Sequence, residues 1–438
     1  LNVSFRTDGS NNFGSDEQFN PTWSAGAVWH VSEETFMEVV RPVLSRLSLR
    51  VATGYTGNIN KTVKPNLMMK YYKNFRISDD ENYRMGYINN APNPKLRWEK
   101  TRDVKVALDF GLWKDRINGI VEAYWRKSKD CVTSEYVPVT TGFFNQSYNT
   151  SVLQNNGVEF SLSVAVLKSK DYNLSVSANV AWNQNKLKKY NSPNTSLALD
   201  KYVGYPMGAV FSGKYEGIDP ETGMYKFKLR PDAVTNKDGY LREPNNYYYY
   251  LGTSVAPFTG GFNLNFSYKN IGLSVGGSYS VKAKMVDNIE SPAGYELLSG
   301  SKLESIPTPH NDLYRNHLNV KREVRNRWTP ENRTGVKYPR LIDAYGKKLG
   351  LDLTNPTLTT ITRGALLEDI SYLRINTIAL SYSLPQRVLE RINFSSAALN
   401  LTLNNFFTIT KYSGIDPEVP GATYPVSRSV TIGLNVGF

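Results

Sequence analysis

Apolar and polar residues alternate with a period of two along much of this chain, the spacing of a β-strand whose successive side chains point to opposite faces. In Trp98 to Trp113, for example, Val104, Val106, Leu108, Phe110 and Leu112 are set against Lys105, Ala107, Asp109 and Gly111. The last stretch repeats the pattern, with Val430, Ile432, Leu434, Val436 and Phe438 between Ser429, Thr431, Gly433, Asn435 and Gly437. In order, the predicted strands are Leu1 to Thr7, Pro21 to Val31, Leu44 to Thr56, Trp98 to Trp113, Ile117 to Ser128 and Asn156 to Leu167. Tyr172 to Asn183, Thr259 to Tyr268, Ile271 to Val281, Ile370 to Leu384, Ala397 to Phe407 and Ser427 to Phe438 bring the total to twelve. A slip in the alternation near Thr377 predicts a bulge. Ser32 to Val43, with Ser32 as N-cap, and Pro385 to Ser395, with Pro385 at the first helical position, read as short helical connections.

The links sort by parity. Those after odd-numbered strands are long: Asp8 to Asn20, Gly57 to Arg97, Lys129 to Asn155, Gln184 to Phe258, Lys282 to Asp369 and Thr408 to Val426. The even-numbered links are short. Within Gln184 to Phe258, short extra strands are expected around Val210 to Glu216 and Tyr225 to Leu229. Nothing in a soluble sandwich forces this parity, whereas bacterial outer-membrane barrels have short periplasmic turns and long extracellular loops. Six of the seven Trp (Trp23, Trp29, Trp98, Trp113, Trp125, Trp182) lie on or at the ends of these strands, where interface girdles place them. Triplets such as Asn173-Leu174-Ser175 and Asn265-Phe266-Ser267 fit a polar lumen alternating with an apolar outer face. The fold class expected is therefore all-β, a transmembrane antiparallel barrel with long extracellular loops.

Composition agrees with this. Hydrophobic residues make up 40% of the 438, with 29 Tyr, and no apolar run approaches the roughly 18 to 20 residues of a membrane helix. A spanning strand needs only about 9 to 11 residues, half of them apolar. No linker divides the chain, and Leu1 to Arg6 already alternates like the middle of a β-segment, as expected of part of a longer polypeptide. The single Cys131 has no internal disulfide partner and reads as structural. Of the net charge of +13, the stretch Lys302 to Lys348, with 11 Lys plus Arg and 5 Asp plus Glu, contributes +6. It carries no nucleic-acid fold signature, so a solvated loop near anionic headgroups is expected, or a site for an anionic ligand.

Several stretches resemble the SusC/RagA family of TonB-dependent outer-membrane transporters of Bacteroidetes. They are Arg6 to Ser10 with Phe13-Gly14, Trp29 with Val31 to Phe36, Leu49 to Asn58, Leu96-Arg-Trp-Glu99, Gly217-Ile-Asp219 with Glu221 to Gly223, and Pro257 to Gly261. Arg327-Trp-Thr329, Tyr372 to Pro385, Asn404 to Thr408, Tyr412 to Glu418 and Tyr424-Pro425 running into Gly433 to Phe438 complete the series, in order along essentially the whole chain. The resemblance implies the C-terminal twelve or so strands of a 22-stranded barrel, residues 1–438 forming one such portion. The plug domain and N-terminal strands would come from another segment or chain. It further implies active import of an oligosaccharide or oligopeptide, a SusD-like surface lipoprotein as lid, and TonB acting through the missing plug. The terminal Phe438 resembles the signal read by outer-membrane assembly machinery. A passive porin, a non-transporting adhesin and a soluble carbohydrate-binding β-protein are the alternatives.

Candidate chemistry is sparse. There is no hydrolase constellation, phosphate-binding Gly loop or cysteine metal site, so neither an enzyme nor a cofactor is expected. His310 and His317 are seven apart, and His30 is remote from both. Gly-Ile-Asp-Pro-Glu occurs twice, at Gly217 to Glu221 and Gly414 to Glu418, and reads as a turn, with calcium as the other reading. Tyr247, Tyr248, Tyr249, Tyr250, Tyr314, Trp328 and Tyr345 fall in long loops, either as contacts to substrate or lid or as packing between loops. Arg374, Asn376, Asn400 and Asn404 are polar strand residues expected to face the lumen.

Overall fold

A computed structural model describes residues 1–58, 68–78, 81–143, 145–190, 202–221, 223, 225–233, 246–286, 325–337, 363–420 and 424–438. The first strands are β1 (Asn2–Gly9), β2 (Phe19–Trp29) and β3 (Leu44–Asn58), followed by a side hairpin of β4 (Met68–Ser78) and β5 (Glu81–Asn90). Long strands follow: β6 (Glu99–Leu112), β7 (Ile117–Tyr136), β8 (Asn145–Lys168) and β9 (Tyr172–Tyr190). Then come the short β10 (Ala209–Gly213), β11 (Tyr215–Ile218), β12 (Tyr225–Phe227) and β13 (Tyr248–Thr253). After β14 (Phe258–Tyr268) and β15 (Ile271–Val281) lie β16 (Lys284–Val286) and β17 (Leu367–Asp369). The chain ends with β18 (Tyr372–Ser383), helix α1 (Gln386–Arg391), β19 (Ser396–Thr410) and β20 (Ser429–Gly437). The twelve strands expected from the alternation form one sheet in chain order, β1-β2-β3-β6-β7-β8-β9-β14-β15-β18-β19-β20. The other eight make four two-stranded sheets within the long links. By contact density there are two compact units, Leu1–Met207 with Gly260–Lys269, and Gly208–Thr259 with Asn270–Phe438.

In the first unit, register sorts the side chains onto two faces. Leu49, Leu108, Val121 and Phe160 are cross-strand neighbours on one face of β3, β6, β7 and β8. Arg50 and Ala107, then Glu122 and Glu159, are neighbours on the other. The apolar face is not covered: Val51, Leu108, Val121 and Val158 all stand exposed. Aromatic rings bracket this band. Exposed Trp29, Trp113 and Tyr172 stand at the short-turn ends, and Trp23, Trp125 and Trp182 toward the long-link ends. A water-soluble sheet buries its apolar face; one bracketed by aromatic belts and left bare matches hydrocarbon.

Several expectations are corrected. Trp98 is no girdle residue. It is buried, stacks on Phe13 with ring centroids 4.5 Å apart, and donates Nε1–H to the Gln18 carbonyl at 3.1 Å. Most of Lys129 to Asn155 is strand rather than loop, because β7 and β8 continue pairing through Val132↔Asn149 to Tyr136↔Asn145. Both faces of that extension are polar, so its alternation vanishes from the sequence. Cys131 lies inside β7 at a register shift. The β2–β3 link holds two 3₁₀ turns, Val31–Glu33 and Thr35–Met37, and Ser32 caps neither. Pro385 is the N-cap residue of α1, one position before the first helical one. The bulge near Thr377 is present, between Ile375 and Thr377.

The second unit has a small core of Ala283, Ile370 and Tyr412, packed against Ala256 and Met285. It ties the start of the long link after β15 to the segments flanking β18 and β19.

Candidate functional site

Within the second unit the loop aromatics are partly spent on packing. Tyr248, Tyr249 and Tyr250 lie on β13, opposite Gly213, Ser212 and Phe211 of β10. The Tyr249 hydroxyl donates to the Leu229 carbonyl at 2.9 Å, and Tyr250, 42% exposed, has its ring 5.8 Å from Phe211. Tyr247 is half-buried. Beside them, Tyr215, Tyr225 and Phe227 form a cluster with centroids 5.6 to 6.2 Å apart, and burial pushes the Tyr215 phenol up. Nothing in the sequence signals that cluster, because Tyr225-Lys-Phe227 carries only the pattern of a short strand and its partner Tyr215 is ten residues away. Trp328 is buried, with Nε1–H donating to the Pro220 carbonyl at 2.9 Å. It thereby pins the first Gly-Ile-Asp-Pro-Glu turn. Tyr314 and Tyr345 lie outside the described residues, as do His310 and His317.

The polar faces differ between the units. In the first, three ion pairs cross β3, β6 and β7: Arg50–Asp109 at 2.5 Å, Lys105–Glu122 at 3.2 Å and Arg126–Asp103 at 2.8 Å. Each is partly exposed, contributing at most about 1 kcal/mol, so their effect is to leave little unbalanced charge on the wall. In the second, amides and hydroxyls take over. Ser278 Oγ bonds Asn376 Oδ1 at 3.0 Å, Thr377 Oγ1 bonds Asn404 Oδ1 at 3.1 Å, and Asn404 Nδ2 donates to Ser429 Oγ at 3.0 Å. Asn400, opposite Ser381 and Gly433, shares this face with Asn404. All four polar strand candidates therefore bear on the polar face, where Asn376 is the bulge residue.

Arg374 is the exception among them, being only 2% exposed. It donates through Nη2 to Asp416 and pairs through Nη1 with Glu418 at 3.1 Å. Asp416 also accepts the backbone N–H of Glu418 at 3.0 Å and of Val426 at 3.1 Å. Burial opposes ionisation of the Asp416 carboxyl, but those two amides and the guanidinium prevail and hold it below the usual carboxylate range. The second Gly-Ile-Asp-Pro-Glu is thus a clasp fastening residues 411–420 and 424–428 onto β18. Its Asp-to-amide turn recurs in the first copy, where Glu221 N–H donates to Asp219 Oδ1 at 2.8 Å. Neither copy gathers metal ligands: among the described residues no group of three or more His, Cys, Asp or Glu is placed to hold an ion. His30 instead bonds Ser48 Oγ through Nδ1 at 3.0 Å.

Against known proteins, the family described as TonB dependent receptor-like, beta-barrel, matches residues 1–295. The chain belongs to that family. It is 26% identical to the TonB-dependent receptor SusC of Bacteroides thetaiotaomicron, over 99% of this chain and 41% of SusC. It is also 26% identical to a TonB-dependent receptor of Formosa agariphila, over 99% of this chain and 44% of that one. The solved structure of the RagAB peptide transporter superposes on 100% of this chain and 45% of its own, at a TM-score of 0.77 and 26% identity. The chain thus spans less than half the length of these relatives. Its fold is that of a transmembrane β-barrel and its place is the outer membrane. The homologues are receptors and transporters, not enzymes.

Proposed function

We propose that residues 1–438 are the C-terminal portion of the barrel of an active nutrient importer, whose plug and remaining strands belong to another segment or chain. The cargo is a large solute, an oligosaccharide or oligopeptide. A SusD-like lipoprotein covers the long-link side, and TonB acts on the plug. The observation that carries this reading is the end-to-end similarity to a RagAB chain described as a peptide transporter. The balanced charges and amides of the polar face suit a wall that hydrogen-bonds to a plug, and Tyr250, exposed beside Phe211, is assigned as a contact to cargo or lid. Arg374, Asn376, Asn400 and Asn404 are assigned to the lumen side, Arg374 as the fastening of a loop. Uptake of fluorescent oligosaccharides and oligopeptides by cells carrying the full-length protein tests this. Depleting TonB should abolish uptake without lowering the amount of protein in the outer membrane. Uptake that continues unchanged would make the protein a passive porin.

A further inference from the structure

Residues 30–43 join β2 to β3 on the short-turn side, where β6–β7 and β8–β9 need only tight turns. The link is ordered by polar contacts, Arg41 donating through Nε to the Ser32 carbonyl at 2.8 Å and through Nη2 to that of Glu33 at 2.9 Å. Its apolar side chains nevertheless point away from the protein: Phe36 is 64% exposed, Val39 89% and Val43 51%. An ordered segment that holds such a patch outward has a partner surface. Two contacts join it to the lipid-facing aromatic belt. Trp29 Nε1–H donates to Glu34 Oε1 at 2.9 Å, and the Trp113 N–H donates to the Val43 carbonyl at 2.7 Å. The patch therefore continues the belt beyond the strand ends. Lys114 and Arg116 stand exposed at the same end, where cations meet headgroup phosphates, but so do Glu33, Glu34, Glu38 and Asp115, so the apolar side chains and not a net charge make the seat.

We propose that residues 35–43 are an interfacial foot, seating Phe36, Val39 and Val43 in the headgroup region of the inner leaflet of the outer membrane. Amphipathic segments of this kind lie in the interface without spanning it. The inference rests on the membrane assignment of the sheet, so its test includes a separate reporter for that assignment. Nitroxide labels would be placed on single cysteines at Val39, Leu108 and Lys170 in the full-length protein carrying Cys131→Ser, reconstituted in phospholipid vesicles. Collision with dissolved oxygen and with an aqueous nickel chelate would then be compared. Leu108, on the apolar face, should favour oxygen; a chelate-favouring Leu108 would sink the membrane assignment itself. Val39 should be several-fold less open to the chelate than Lys170 in the β8–β9 turn. A Val39 label as open as Lys170 would overturn the foot. So would protection appearing only in native outer-membrane fragments, which would assign the patch to a periplasmic protein.

Discussion

Arg374 shows how one side chain can organise a loop. Removing one partner of a buried ion pair leaves an uncompensated charge and typically costs about 3–5 kcal/mol, while replacing both partners by apolar groups is often close to neutral. Arg374→Met should therefore release residues 411–420 and 424–428 to proteolysis on intact cells, and adding Asp416→Leu should restore only part of the protection, because the Glu418 and Val426 amides then lose their acceptor. The same clasp fixes a pH dependence. Because the folded Asp416 carboxyl titrates below its ordinary value, its contribution is fully present above about pH 4 and is lost as pH falls through the lower folded value. A solvatochromic dye at Lys411→Cys, in a Cys131→Ser background, should report loop release only below about pH 4. The Asp416→Asn variant should show no such transition there. The sequence displayed Arg374 as a polar strand position and Asp416 as a turn former, but not their meeting. Their pairing joins residues 42 apart across a bulge and a reversal of the chain, which no local pattern encodes.

The twelve sheet strands were legible because one face of each is apolar and the other polar, so the alternation alone marks them even though the apolar face is left bare. Legibility ended where both faces became polar, as in the upper parts of β7 and β8, and where a residue type has two uses, as with Trp98. That ring closes a knot in which Leu96, Phe13 and Asn20 are also buried. Gly57 leaves room for it, since a Cβ there would meet Asn20 Nδ2 at 2.1 Å and the Trp98 ring at 3.0 Å. Trp98→Ala should cost about 3–5 kcal/mol locally, read as a lower thermal midpoint of the purified full-length protein. Trp125→Ala, on the exposed belt, should be milder in the same measurement. At the other end, β20 pairs with β19 from Ser396↔Gly437 to Asn404↔Ser429, and the Phe438 ring packs edge-on against Phe394 at 5.1 Å. Deleting Phe438 should lower the amount of protein reaching the outer membrane without slowing transport per assembled copy. Normal levels would remove its role as an assembly signal.

For the whole molecule, strand number, loop parity and the ordered resemblance all lead to the same barrel family, and the sheet order bears this out. Which solute is carried was not legible, and the lid was suggested by the resemblance alone. Both depend on long loops whose residues meet only through folding, and on surfaces beyond this chain. One face of this sheet meets hydrocarbon, and β6 is where that is most readily checked. A membrane-partitioned carbene reagent would be applied to native outer membranes containing the full-length protein, with adducts mapped by mass spectrometry. Labelling is expected at Val104, Val106, Leu108 and Phe110 and not at Asp103, Lys105, Ala107 and Asp109. Equal labelling of the two sets, or none on either, would contradict it.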